Sequence, residues 1–311
     1  MKNIKYILFI LTIAICFGQL NSTAQQVTLS NQYIVNKFSL SPAYAGLNEN
    51  FEFYGNTRNE WIGVYGAPIT NSITANGAIG KNMGIGASIS NMQAGIFINL
   101  STSLYYSYHI RLSKTKFLSF GLGVGMLENH LDLNNSDAQS DPIFMRSGSK
   151  STMIDASFGI LYKSKKLHIG ASAPRLLGRR TENSLYSLWP YFKVFMSYKL
   201  NLNKTLALNP TAIINYPVDA PPQYEFSIPI IYQQKVWFTL IYKETGDAGI
   251  GIGANLKSNF VLNYTVEWYE HGLAHRSGGT HELTLGWKIS KKNPNQFKRN
   301  KKKPYYEWIN K

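Results

Sequence analysis

Two adjoining stretches of alternating side chains, within residues 100–126, constrain the fold more than any other feature of the sequence. In residues 100–112 and again in residues 118–126, apolar and aromatic side chains dominate every second position, and polar side chains or glycine fill the positions between. Because successive side chains of a strand point to opposite faces, this pattern predicts two strands joined by a tight turn. The strands are long for a soluble sheet. Long two-faced strands are typical of a transmembrane β-barrel, with lipid outside and a polar interior.

The same alternation recurs along the chain and predicts an all-β, antiparallel outer-membrane β-barrel of about 14 strands within residues 51–290. Inward glycines leave room where a barrel crowds its own lumen. The predicted strand cores are residues 51–60, 69–79, 82–92, 98–112, 117–131, 153–162, 167–176, 191–200, 206–216, 224–232, 236–243, 248–256, 260–268 and 282–290.

The connections between these strands predict an orientation. Very short turns that carry lysine alternate with connections that are mostly longer and richer in Gly, Pro and Asp. Short turns face the periplasm and long loops face outward in bacterial barrels, so we expect both termini to lie in the periplasm.

The first 24 residues have the features of a secretory signal peptide. Lys2 and Lys5 precede an apolar run, and the small residues Ser22 and Ala24 predict cleavage after position 24. A retained membrane anchor is the alternative, but the run is short for a spanning helix, and no other stretch approaches that length. Ile15 before Cys16 is too bulky for a lipoprotein signal.

Because Cys16 is the only cysteine, disulfides cannot hold the exported chain together. Residues 25–50 are expected to form a mixed N-terminal segment before the barrel, either periplasmic or plug-like.

The formal net charge of +15 raises nucleic acid as a partner. The basic residues lie mostly in turns and in a tail at residues 291–311, and an exported chain rarely meets nucleic acid, so no such partner is expected. The tail is either solvated and disordered or a periplasmic docking segment for an acidic or phosphate-bearing partner. The candidate docking residues of the tail are Lys298, Arg299, Lys301, Lys302, Lys303, Tyr305, Tyr306 and Trp308.

The sequence predicts no enzyme, cofactor or metal site. No G-x-S-x-G or H-E-x-x-H motif accompanies its histidines. His271, His275 and His281 cluster on the last predicted outer loop, where a metal site is the alternative to simple polar closure of that loop by His281 and Glu282. Polar residues at inward strand positions are expected to be hydrogen-bonded in a packed lumen or to line a narrow channel; they are Asp155, Lys243, Glu267 and Lys288. The candidate residues of outer loops that would face a client are Arg58, Trp61, Tyr65, His275 and His281.

Several strings, in order along nearly the whole exported chain, resemble the type IX secretion system membrane proteins of the PorP/SprF family. Ser41 stands where that family usually has Asn in NPAYAG, and the basic tail after the last strand is less typical of it. The strings are SPAYAG (41–46), RNEWIGVYGAPIT (58–70), YYSYHIRL with FLSFGLGVG (105–125), DPIF (141–144), IGASAPRLL (169–177) and GGTHELTL (278–285).

This resemblance implies an outer-membrane barrel of Bacteroidetes-type bacteria. Such proteins support the export or surface attachment of large secreted proteins with a C-terminal sorting domain, including adhesins used in gliding motility. The implied partners are that client, periplasmic components of the secretion and gliding machinery, and outer-membrane lipid. A passive porin or small-solute transporter is the alternative function.

Overall fold

The computed structural model describes residues 30–132, 150–180, 187–218, 220–244, 246–256, 259–269 and 273–290. The predicted signal peptide (1–24), the DPIF string and the tail (291–311) lie outside these residues. No helix in the described part of the chain is long and apolar enough to cross a membrane.

Fourteen strands form one closed antiparallel barrel, in which each strand pairs with the next along the chain and β14 returns to pair with β1. The prediction of a 14-stranded barrel is therefore confirmed. The strands are β1 (Asn50–Asn59), β2 (Ile69–Ala78), β3 (Met83–Ala94), β4 (Phe97–Arg111), β5 (Phe117–Leu131), β6 (Lys150–Lys163), β7 (Leu167–Arg175), β8 (Tyr191–Tyr198 with Leu200–Asn201), β9 (Leu206–Leu208 with Thr211–Pro217), β10 (Gln223–Tyr232), β11 (Val236–Lys243), β12 (Asp247–Asn255), β13 (Phe260–Tyr269) and β14 (Thr280–Ser290).

The outer face of the barrel is apolar and the inner face is polar or small. Leu104 and Leu122 point outward and are 62% and 59% exposed, whereas Ser107 and Ser119 on the same two strands point inward and are fully buried. A continuous exposed apolar band of this kind is stable only where lipid replaces water. Aromatic rings add to this band: Trp287 stacks on Phe260 with ring centroids 6.1 Å apart and lies beside Phe53 on the outer face.

The two ends of the barrel differ in their connections. At one end, here called the short-turn end, β1 begins, β14 ends, and turns of three to five residues join the hairpins. The other, long-loop end carries the connections of residues 60–68, 132–149, 176–190 and 270–279, the last containing a short 3₁₀ helix at Leu273–Arg276. The β3–β4, β9–β10 and β11–β12 connections at this end are short exceptions, and Gly95 with a φ of 56° allows the two-residue turn between β3 and β4.

Residues 30–48, here called the plug, lie inside the barrel. They form three 3₁₀ helices, Asn31–Ile34, Lys37–Leu40 and Pro42–Tyr44, of which the first and last are capped by the hydroxyls of Ser30 and Ser41. Asn31, Ala43 and Ala45 are 0% exposed. The apolar side of the plug packs against inward residues on β6, β8 and β9, namely Leu161, Phe195 and Ile213.

Candidate functional site

The main functional feature of the lumen is the surface that holds the plug, and glycines make up part of it. Inward glycines on β3, β5 and β6 allow the plug backbone to touch the barrel wall. A Cβ added to Gly121 would lie 2.3 Å from the backbone nitrogen of Ala43, and one added to Gly84 would lie 2.1 Å from the carbonyl oxygen of Ala45. Any other residue at these two positions would displace the plug or the strand.

Wall side chains satisfy the irregular backbone of the plug. The Ser107 hydroxyl donates to the carbonyl oxygen of Ala45 over 2.7 Å, and the Ser172 hydroxyl donates to the carbonyl oxygen of Leu40 over 2.8 Å. The amide of Gly46 donates to the Asn76 side chain over 3.1 Å. Non-helical backbone at membrane depth is stable only when its polar groups are satisfied in this way.

A buried cluster of charges lies in the half of the lumen nearer the long-loop end. Arg58 on β1 donates to Glu267 on β13 over 2.6 Å and to Glu282 on β14 over 2.9 Å, and all three side chains are at most 3% exposed. Lys243 on β11 forms a second ion pair with Glu267. Glu60, just beyond β1, accepts from Arg58 over 3.3 Å; burial raises its pKa, and the Arg58 charge opposes that rise. The charges are thus paired rather than isolated, as burial requires.

The first residues of the plug complete this cluster. The Asn31 backbone amide donates to Glu282 over 2.9 Å, and its side chain donates to Glu267 over 2.6 Å. The Ser30 hydroxyl donates to Glu282 over 2.6 Å. These five residues, Ser30, Asn31, Arg58, Glu267 and Glu282, are here called the latch, because they fasten the plug to β1, β13 and β14.

Arg58 lies in the lumen and not in an outer loop. It is one residue from the end of β1, and its position follows from strand alternation: Glu52, Tyr54 and Asn56 point inward, so the next even-numbered residue does too. Its guanidinium is hydrogen-bonded to Glu267 and Glu282 within the latch. Arg58 is therefore not on the surface that the first outer loop presents, in contrast with the expectation from the sequence.

The other predicted loop residues lie near the long-loop end. Trp61 has a φ of 48° and its amide donates to Thr280, which ties the first loop to β14. Tyr65 is fully exposed at the tip of that loop. His275 is exposed, and His281 is on the outer face of β14, where its ring contacts the Tyr264 hydroxyl. The tail candidates and His271 lie outside the described residues. Within the described ranges, no group of three or more His, Cys, Asp or Glu could hold a metal ion.

Of the predicted inward polar residues, Lys243 and Glu267 form an ion pair, and the Lys288 ammonium lies 5.6 Å from the ring centre of Tyr54. Asp155 accepts from the amide of Leu177 over 2.9 Å and so holds the loop that follows β7. The sequence did not reveal Glu282 and Asn31 as latch residues. The available signal was the inward position of Glu282, but its partners are more than 200 residues away in the chain.

A closed barrel with an apolar outer face and a segment of its own chain filling the lumen defines an outer-membrane β-barrel protein with an internal plug. The sequence matches the family described as "Type IX secretion system membrane protein PorP/SprF" over residues 22–287, and the chain belongs to this family. The resemblance drawn from the sequence strings is thereby confirmed. The protein is a barrel component of type IX secretion, and neither family nor fold is that of a known enzyme class. No curated protein matches the sequence.

Solved outer-membrane barrels share the fold at low sequence identity. The Ralstonia pickettii toluene transporter TbuX is 11% identical with a TM-score of 0.52, and the match covers 81% of this chain and 92% of that chain. The CymD monoaromatic hydrocarbon channel is 10% identical with a TM-score of 0.52, over 85% of this chain and 94% of that chain. At this level of identity the likeness extends to the fold alone.

Proposed function

We propose that this barrel supports the secretion or surface anchoring of a large client protein with a C-terminal sorting domain, such as a gliding adhesin. In this proposal it acts as a filled scaffold and not as an open pore. Residues 1–24 are a signal peptide that is removed, residues 51–290 are the barrel, and residues 291–311 are a periplasmic docking tail.

The plug is the single observation that carries this proposal. A passive porin keeps a water-filled path through its lumen, whereas here the plug is buried among wall side chains that satisfy its backbone and its charges. A barrel filled in this way has its two ends, rather than its lumen, available for function.

The two ends would contact different partners. With the short-turn end in the periplasm, the exposed Tyr65 and the other long-loop residues face the client outside the cell. The last strand ends at Ser290 at the short-turn end, so in this proposal the tail that follows it is on the side of the periplasmic machinery. Its basic and aromatic residues suit an acidic partner with an apolar anchor point.

Affinity isolation from native membranes tests this proposal. We expect the tagged full chain to recover a secreted protein with a C-terminal sorting domain together with periplasmic machinery components. A chain ending at residue 290 should lose the periplasmic components and keep the client. Recovery of neither group under gentle conditions would contradict the scaffold function.

A small-solute transporter is the second candidate, favoured by the fold shared with TbuX and CymD, which are described as a toluene transporter and a monoaromatic hydrocarbon channel. Reconstitution of the full chain into a planar bilayer separates the two functions. Large, stable currents from the full chain would favour transport, and their absence favours the scaffold.

A further inference from the structure

A basic cavity lies at the short-turn end of the barrel, between the plug and the ends of the strands. It has a volume of about 120 Å³. One carboxylate lines it, that of Glu52, together with six lysines: Lys37, Lys163, Lys165, Lys166, Lys199 and Lys288. Lys165 and Lys166 are exposed in the turn between β6 and β7, so the cavity reaches the surface at this end.

Lysines outnumber carboxylates in the lining of the cavity. The Asn48 side chain links the two charge types: its oxygen accepts from Lys163 over 2.8 Å, and its nitrogen donates to Glu52 over 3.2 Å. Lys288, on β14, lies over the Tyr54 ring. Six lysines and one carboxylate thus line a concave site, and its low-dielectric walls concentrate the positive field at the mouth.

Lys37 is an independent indication that the cavity can bind an anion. Its ammonium nitrogen is buried and has no hydrogen-bond partner among the described residues; its contact is with the face of the Tyr33 ring, 5.4 Å from the centroid. A buried ammonium without a hydrogen-bonded counter-charge is costly. Lys37 belongs to the plug and lines the cavity, so a bound anion would supply the hydrogen-bond partner that the described residues do not.

We propose that this cavity binds the carboxylate of an acidic peptide segment from a protein at the short-turn end of the barrel. The inference rests on the proposed function, because it identifies the chemistry of the partner that docks there. Ile34, Val35 and Trp237 form apolar walls that suit the hydrocarbon part of such a segment. Lipid is separated from the cavity by the wall of strands, so the anion comes from the aqueous side.

Exposed lysines extend the attraction beyond the cavity. Lys165 and Lys166 are exposed at the rim of the cavity, in the turn between β6 and β7. A basic rim speeds the approach of an acidic partner, while the buried lysines determine how long it stays. The rim therefore suits a peptide on an acidic protein better than a single small ion.

Binding of a fluorescein-labelled hexaglutamate peptide to the detergent-solubilised full chain tests the proposal. We expect saturable binding that weakens with added salt. Lys37→Met and Lys166→Gln should each weaken it by about fivefold or more, because each removes a cavity charge. Lys116→Gln is the matched control: it removes a lysine from another short turn at the same end, outside the cavity, and should change the affinity by less than about twofold.

Equal affinity of the wild type and Lys37→Met would overturn the proposal, provided that both proteins retain the heat-dependent gel mobility of a folded barrel. Competition by inorganic phosphate forms a second arm. If phosphate binds at the same lysines more tightly than the peptide, the ligand is a small soluble anion and the peptide proposal fails. Peptide binding is measured without a client, so its failure is distinct from failure to recover a client from membranes.

Discussion

Gly121 is one of the wall residues at which the plug backbone leaves no room for a side chain. Gly121→Val would place a Cβ against the backbone nitrogen of Ala43, which cannot rotate away as a side chain tip could. We expect the plug to be displaced while the outer surface of β5 is unchanged, at a cost of about 1–3 kcal/mol in the free energy of unfolding.

Limited proteolysis of residues 30–48 measures this displacement. Gly55→Val is the matched control, because a Cβ at Gly55, in β1, meets nothing within 4 Å. The Gly121 variant should be cleaved in the plug and the Gly55 variant should not. Equal resistance of the two variants would show that the wall can adjust to a larger residue at position 121.

The buried Lys37 ammonium leads us to expect that the free energy of unfolding depends on pH. Burial lowers its pKa from 10.5 to about 8, so between these values the unfolded chain holds a proton that the folded chain has lost. The contribution of Lys37 to the free energy of unfolding therefore rises as the pH increases from about 8 to 10.5. Below pH 8, burial of the charged ammonium destabilises the folded protein by its full amount. Lys37→Met should raise the free energy of unfolding at pH 7 by on the order of 1–3 kcal/mol.

Denaturant unfolding of the refolded barrel at several pH values checks this prediction. The advantage of the Met variant should shrink above pH 8 and be lost near pH 10.5. A difference that did not vary with pH would mean that packing, and not the charge, separates the two proteins. A charged residue that lowers stability from within a cavity is consistent with a binding function.

At the scale of elements, the latch joins the plug to the first strand and the last hairpin. Glu282→Gln should lower the free energy of unfolding by about 3 kcal/mol, because Arg58 and Asn31 would lose a buried charged partner. Glu128→Gln is the control: its ion pair with Lys150 is partly exposed, so we expect a loss below about 1 kcal/mol. Similar losses in the two variants would argue against the latch as a stabilising element.

The position of the plug also leads to a prediction about ion currents through the barrel. The ring of strands is closed by its own backbone hydrogen bonds without contribution from the plug. A chain lacking residues 30–48 should therefore insert as a barrel and give currents in a planar bilayer that the full chain does not give. A deletion variant that inserts and yet remains silent would show that side chains alone close the lumen.

The sequence predicted the strands well and the contents of the lumen poorly, for a physical reason. Alternation is a local signal, because one face of each strand meets lipid, so Leu104 and Ser107 can be assigned to opposite faces from neighbours alone. Arg58 and Glu267 are 209 residues apart, and their pairing depends on ring closure. The break of β9 at Asn209 and Pro210 was likewise not predicted.

At the scale of the whole molecule, closure of β14 onto β1 places the beginning and the end of the barrel chain at the same end. If the short-turn end is periplasmic, Tyr65 at the long-loop end is outside the cell. The only cysteine of the chain is at position 16, within the predicted signal peptide, so single cysteines can be introduced without background.

A membrane-impermeant maleimide applied to intact cells should label Tyr65→Cys and leave Lys116→Cys unlabelled until the outer membrane is opened. Both side chains are exposed, so accessibility within the protein does not distinguish them. The opposite labelling pattern would invert the proposed orientation and move the basic cavity to the cell surface.

The latch also has a consequence for assembly. The carboxylate of Glu282 comes from the last strand, and the groups that surround it, Asn31 and Arg58, come from the beginning of the chain. A barrel that lacks its final strand leaves the Arg58 guanidinium short of a counter-charge in the lumen. Addition of β14 therefore stabilises the barrel in two ways: it forms the last backbone hydrogen bonds of the ring, and it supplies a carboxylate to the buried Arg58. The latch thus favours the complete barrel of fourteen strands over one that lacks its last strand.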